Sequence, residues 1–548
     1  MNRLLLLNSS VVLLLVLLPG ISCSTEKADE GPPNIILILT DDQGWTSHSY
    51  LADPNRPDSG SDYFETPNMD RMAAMGMRFT DGYAPNPICD PTRHAILFGQ
   101  NCARHVYGKD ETWLERAPGW LTLPKAIKAG NSNYRTAHFG KWHIGIMPEE
   151  AGYDVSDGPT SNATGNFQNG KYNTTYGDPA FQPAVDAYNL KHGMVPKELN
   201  VRYTGEFPVF YPDENPKDVV GLTRRVSGFI RESVVDNKPF FAQISHYATH
   251  VDMVARQETY DYFDKKPRGK KHDNAGFAAM LKDMDTSIGE LLDLLKELEI
   301  EDNTYVFLLA DNGAVHYFTQ TAILGEGIDI LDTHETSVAW RNEPLRHGKH
   351  EYYEGGIRVP FLALGPGIKP NSVSRVPVTG LDFLPTFAEL AGNDSPLPGN
   401  LDGGSLVNVL FQVGEGEVKR SRDALYFHQS ALRPAASSMR KGNYKLVKFW
   451  RAGKPKLEGK SRYFIRNLSD KPLELYDLSK DLEEQNDLSE EMPELAKAMN
   501  DELMAFLDEV NAEIKYTGRK SPYNRLLNKG DLRSARDMVI SPEYLSPF

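Results

Sequence analysis

Four short apolar runs constrain the fold of this chain more than any other feature. Asn34–Thr40 precedes Asp41-Asp42, Arg135–Phe139 precedes Gly140-Lys141, Phe240–Ser245 precedes His246, and Tyr305–Ala310 precedes Asp311-Asn312. Each run is continuous rather than alternating, the pattern of strands buried on both faces of a parallel sheet. Helical patterns lie between them, at Asn68–Met77 and more strongly at Phe277–Leu298, where Met280, Met284, Ile288, Leu291, Leu292 and Leu295 keep helical spacing. The expected class is α/β, with a doubly wound, mostly parallel sheet. Open sheets of this kind bind ligands outside the carboxyl ends of their strands, so the four polar ends are expected to converge on one site.

At 548 residues and 40% hydrophobic content the chain can bury a large core and exceeds one small domain. Residues 1–23 read as an export signal: Arg3 gives a positive start, and Leu4 to Leu18 is apolar apart from Asn8, Ser9 and Ser10. The run is short and broken for the about 20 residues that span hydrocarbon. Cys23, after small residues, resembles a bacterial lipoprotein cleavage site, although Gly20 stands where Leu is usual; simple cleavage is the alternative. A periplasmic or outer-membrane protein is expected, touching the membrane only through such an anchor. Residues 32–418 are expected to form the catalytic domain. Residues 419–548 then form a smaller subdomain, in which Ala424–His428, Tyr444–Phe449 and Leu473–Leu478 alternate as antiparallel strands and Met492–Val510 is helical. Between about Glu149 and Asn215 the chain is rich in Gly, Asn, Tyr and Pro, which predicts long loops shaping a substrate pocket.

The formal net charge of −15 argues against a nucleic-acid partner, because phosphate contacts need clustered cations. A polyanionic substrate must then meet local basic patches, and there are two: Lys265, Lys266, Arg268, Lys270 and Lys271, and Arg451, Lys454, Lys456, Lys460 and Arg462. If Cys23 is lost or lipidated, the three cysteines leave Cys89 and Cys102, for which a disulfide is the plain structural alternative.

The most specific segment is Pro87-Ile88-Cys89-Asp90-Pro91-Thr92-Arg93-His94-Ala95-Ile96-Leu97-Phe98-Gly99. A nucleophile just before Pro91 sits at a helix start, where backbone N–H groups and the helix dipole favour an anion. Asp41, Asp42, Asp311 and Asn312 offer only oxygen ligands, which suits calcium or magnesium better than zinc. Here the chain resembles the type I sulfatases of the alkaline phosphatase-like superfamily, through Cys89, Pro91, Thr92, Arg93, Leu97 and Gly99. Gly140-Lys141-Trp142-His143-Ile144-Gly145 resembles the family's second signature. Thr249-His250, Pro344–Lys349 and Glu354–Pro360 extend the match, and Arg440–Leu446 and Leu475–Leu478 carry it into the small domain.

The resemblance implies a sulfate-ester hydrolase whose Cys89 is oxidised to formylglycine (3-oxoalanine) by a dedicated modifying enzyme. One calcium ion would be held by Asp41, Asp42, Cys89, Asp311 and Asn312. Arg93, Lys141 and Lys349 would neutralise the sulfate, His143 would handle the nucleophile's proton, and His250, with His246 as runner-up, would protonate the leaving alcohol. His350 stands where the family often has Gly. The expected substrate is a sulfated carbohydrate, from algal polysaccharide or glycosaminoglycan. The rival readings are a phosphonate or phosphate-ester hydrolase of the same superfamily, and a catalytically silent glycan-binding lipoprotein.

Overall fold

The computed structural model describes residues 31–105, 113, 121–158, 160, 215–250, 255–315, 342–428, 436–450 and 471–514. Among them, fourteen strands fall in three sheets. They are β1 Asn34–Thr40, β2 Met77–Phe79, β3 Gly82–Tyr83, β4 Arg135–Gly140, β5 Val155–Ser156, β6 Phe240–Ser245, β7 Thr304–Ala310, β8 Phe361–Leu364, β9 Ser372–Ser374, β10 Val378–Thr379, β11 Ala424–His428, β12 Ala436–Lys441, β13 Tyr444–Phe449 and β14 Leu473–Asp477.

The large sheet runs β5-β4-β6-β1-β7-β8-β2-β9. Its centre, β4, β6, β1 and β7, is parallel, and β8 runs antiparallel to both β7 and β2. All four predicted buried strands are therefore neighbours. The physical reason for their continuous hydrophobicity is visible in β1: Ile35, Leu37 and Leu39 pack on one side with the helices Cys89–Phe98, Leu123–Gly130 and Phe383–Leu390. Ile36 and Ile38 pack on the other with Pro67–Met75, Val219–Val235 and Ala275–Glu297. Both faces are covered, so the sheet is doubly wound as the sequence indicates.

The second sheet is antiparallel, β11-β12-β13-β14. One face carries Tyr426, Met439, Leu446 and Leu475 against the helix Pro493–Glu509. The other carries Leu425, Phe427, Val447, Phe449 and Tyr476 against Tyr83, Ile88, Cys89, Tyr352 and Ile357. Pro32–Phe548 thus forms one compact unit, in which the small sheet covers the flank of the segment bearing Cys89. The predicted strand set for this region lacked β12, whose Ala436-Ser437-Ser438-Met439-Arg440-Lys441 does not read as apolar.

Ions reinforce the contact between the sheets. Lys445 Nζ lies 2.9 Å from Glu354 Oε1 and from Glu484 Oε1, with all three side chains fully buried. Arg358 Nε bonds Glu354 Oε2 at 2.5 Å, and Arg440 bonds Asp81 at 2.5 Å. No described helix is long and apolar enough to cross a membrane. The proposed signal at 1–23 lies outside the described residues, as do residues 161–214 of the loop region and the basic cluster 451–462.

Candidate active site

Parallel pairing of β4, β6, β1 and β7 brings their carboxyl ends to one edge, where the backbone ties them together. Asp311 N donates to Thr40 O at 2.9 Å, Lys141 N to Ser245 O at 2.8 Å, and His246 N to Leu39 O at 2.8 Å. Thr249 N and Oγ1 both donate to Asp41 O. Cys89 opens its helix with no side chain capping the N-terminus. The helix places Arg93 one turn further on.

Three carboxyl groups face three basic side chains here, all buried. Arg93 donates twice to Asp311 Oδ2, at 3.0 and 2.6 Å, and once to Lys141 O. Lys141 Nζ meets Asp41 Oδ2 at 2.5 Å. Lys349 Nζ spans Asp42, 2.7 Å from Oδ1 and 2.9 Å from Oδ2. Burial pushes the Asp41 and Asp42 carboxyls up. The opposing charges, Lys141 and His250 for Asp41 and Lys349 and His250 for Asp42, outweigh it, and both end below the usual carboxylate range. Burial and then the Asp41 charge push Asp311 the other way, up to about 8. Adjacent carboxylates of this kind call for a proton or a cation between them.

The donor set fits a hard cation. Asp41, Cys89 and Asp311 each bring a ligand atom within 4.8 Å of the others, and Asp41, Asp42 and His250 do the same. Asn312 Nδ2 is committed to Asp42 Oδ1 at 2.7 Å and to Gly313 O. Asn312 Oδ1 and Asp41 Oδ1 remain buried acceptors without a hydrogen-bond donor. Buried oxygens without donors are costly unless a cation meets them, and oxygen ligands from two strand ends suit calcium.

His143 Nδ1 lies 3.5 Å from Cys89 Sγ, and burial followed by the Lys141 charge lowers its ring to about 3, leaving it a neutral base. His250 Nε2 lies 3.8 Å from Asp42 Oδ2, and burial with the Lys349 charge lowers it to about 3 as well. His246 is fully buried, and both its ring nitrogens lack hydrogen-bond partners. Between the two histidines it is therefore His250 that the fold brings to the carboxylates.

All ten residues singled out in the sequence, Asp41, Asp42, Cys89, Arg93, Lys141, His143, His250, Asp311, Asn312 and Lys349, come together in this one cluster. His350 has φ +77, the left-handed region that glycine takes freely, so the loop keeps a glycine-like conformation with a side chain on it. Cys89 and Cys102 are both free thiols, and Cys102 Sγ bonds Pro91 O at 3.2 Å, so the alternative disulfide is not formed. Three side chains of the first basic cluster meet acids or carbonyls of the protein itself. Lys266 pairs with Glu65 and Arg268 with Asp264, and Lys271 Nζ caps the Asp58 and Gly60 carbonyls. Sequence reasoning missed Thr160, which acts on backbone groups and carries no pattern.

An α/β sheet with charged strand ends, a helix-initial cysteine and an oxygen-rich cluster defines a hydrolase of the alkaline phosphatase-like class. The sulfatase family profile matches residues 33–393, and a second profile, N-sulphoglucosamine sulphohydrolase, C-terminal, matches 346–509. A sulfatase from Formosa agariphila is 31% identical, over 90% of this chain and 91% of its own. Human N-acetylgalactosamine-6-sulfatase is 28% identical, over 75% and 72%. A crystal structure, Ps i-CgsB in complex with k-i-k-neocarrahexaose, superposes with a TM-score of 0.62 at 22% identity, over 91% of this chain and 97% of that one. The chain belongs to the sulfatase family and is a sulfuric ester hydrolase.

Proposed function

We propose that this chain hydrolyses sulfate esters of carbohydrates, using a formylglycine made from Cys89 and one calcium ion held by Asp41, Asp42, Asp311 and Asn312 with residue 89. The observation that carries the reading is the buried cluster in which Cys89, His143, three carboxyl groups and three basic side chains meet. Calcium would supply positive charge against sulfate oxygens, and a hydrated aldehyde at position 89 would supply the hydroxyl that attacks sulfur.

The remaining work falls to this chain's own side chains. Arg93, Lys141 and Lys349 neutralise sulfate oxygens in a site that excludes water, where charge acts strongly. Arg93 also holds Lys141 through its carbonyl. Neutral His143 accepts a proton from the group at position 89. His250 protonates the leaving alcohol: the arriving sulfate ester brings negative charge that offsets Lys349 and raises the imidazole's proton affinity.

A sulfated sugar is favoured as substrate by the relative named for N-acetylgalactosamine 6-sulfate ester chemistry. Residues 1–23 are proposed as an export signal of lipoprotein type, and the modifying enzyme as an obligatory partner in the producing cell. Residues 32–418 are proposed as the catalytic domain and 419–548 as the smaller subdomain. The test is turnover on a panel of defined sulfated oligosaccharides beside aryl sulfate, aryl phosphate and aryl phosphonate esters. Release of sulfate from a sugar with little phosphate or phosphonate cleavage is expected. Turnover of sulfated sugars no faster than of the phosphonate ester would sink the reading.

A further inference from the structure

Lys141 and His143 sit on a segment that the sheet alone cannot hold. Gly140 leaves β4 with φ +90, and a Cβ there would stand 2.0 Å from Ser245 O. Three residues later His143 takes φ +54. Lys141 N still donates to Ser245 O, but beyond that bond the chain leaves the strand ladder, so the remaining backbone groups need partners of their own. Gly140 N donates to Asp157 Oδ2 at 2.8 Å, and Lys141 O accepts Arg93. Three more, Gly140 O, Trp142 N and His143 N, close on one buried residue. Thr160 Oγ1 accepts Trp142 N at 2.8 Å and donates to Gly140 O, while Thr160 O accepts His143 N at 2.7 Å.

We infer that Thr160 is a positioning residue for this reaction: its hydroxyl and carbonyl fix the Gly140–His143 turn and so set the Lys141 ammonium and the His143 ring against residue 89. The inference rests on the roles proposed above for Lys141 and His143. One hydroxyl acts as donor and acceptor between two peptide groups on either side of Lys141, which locks the turn from a single χ1 well. His143 hangs from the next peptide, whose N–H is held by the same residue's carbonyl. Freed from both, the turn can shift while the sheet beneath it stays intact. Thr136 makes a useful contrast. Its hydroxyl bonds Gly152 O and Asp154 Oδ2 at the opposite end of β4, remote from the cluster.

The experiment compares Thr160→Val, Thr160→Ser, Thr136→Val and His143→Ala with the parent enzyme on an aryl sulfate, reading kcat, KM and the unfolding midpoint of each. Thr160→Val should lose about 10²-fold in kcat, as expected for reacting groups displaced by an ångström. KM should stay within about twofold, and Thr160→Ser should recover kcat to within about threefold of the parent. Thr136→Val should lower the unfolding midpoint without this selective loss of kcat. If Thr160→Val is recovered unfolded, Thr160→Ala takes its place with the same expectation. A kcat within about twofold of the parent for Thr160→Val, or a Thr160→Ser as impaired as Thr160→Val, overturns the positioning role. A fully active His143→Ala overturns the reading of the site itself, and the positioning role with it.

Discussion

Lys141 reaches Asp41 Oδ2 at 2.5 Å across 100 residues of sequence, with neither side chain exposed to solvent. The pair is one of three in the active-site cluster in which a buried cation answers a buried carboxyl group, and together they explain how so many charges share this site. A dication entering the cluster would meet the Asp41 and Asp42 carboxylates, replace the proton that Asp311 favours, and cover buried oxygens without donors.

Chelation is therefore expected to abolish turnover, and calcium to restore it, with zinc a poor substitute for an oxygen-only set. Asp311→Ala removes a proposed ligand and leaves the buried Arg93 guanidinium with the Lys141 carbonyl but no carboxyl partner. It should lose at least about 10²-fold in kcat and about 3–5 kcal/mol of stability. Titration with EGTA and calcium during an aryl sulfate assay checks the first expectation, and chemical denaturation the second. Full activity after exhaustive chelation would contradict it.

Lys445 is the centre of a second buried charge cluster, with Glu354 and Glu484. Lys445→Ala takes the cation from Glu484 in the interior, while Glu354 keeps Arg358, and a cost of about 3–5 kcal/mol is expected. Activity per folded molecule should fall far less than in Asp311→Ala. Calorimetry with an active-site count on the same sample separates the two quantities.

Asp285 gives a pH dependence whose sign can be worked out. Its carboxylate accepts from Asn68 N and Met69 N at the start of the helix Pro67–Met75, and burial raises its pKa from 3.8 to about 6. The folded state therefore binds this proton more tightly than the unfolded chain does. The stabilisation is complete below the unfolded value and is lost as pH rises through the folded one. Between about pH 4 and 6 the loss approaches about 1.4 kcal/mol per pH unit. Asp285→Asn keeps an acceptor and removes the titration. Its stability relative to the parent should climb across that window and level off above it. A constant difference from pH 4 to 7 would be contrary evidence.

Much of this was legible in the sequence because burial on both faces leaves a direct trace. The central strands read as unbroken apolar runs, and the polar residues after them marked the site before any geometry was known. β12 left no such trace: Ser437 and Arg440 are buried through hydrogen bonds to His428 and Tyr83 and an ion pair to Asp81, not through apolar surface. Thr160 was invisible for a related reason, since it works on backbone groups brought near by the fold. The cations Lys266, Arg268 and Lys271 show their charge in the sequence but not their partners. As a run of charge they resembled a polyanion patch, but the acids and carbonyls that occupy them lie up to 213 residues away in sequence.

The central claim is that residue 89 acts as an aldehyde and not as a thiol, and it can be read at a single peptide. In active protein the peptide spanning Cys89 should carry the lower mass of formylglycine, resist thiol alkylation and react with hydrazines. Cys102 in the same denatured sample should alkylate normally. Activity should rise and fall with the fraction of chains so modified, and Cys89→Ala should fold but be dead. Fully active protein whose Cys89 alkylates as an ordinary thiol would contradict the account.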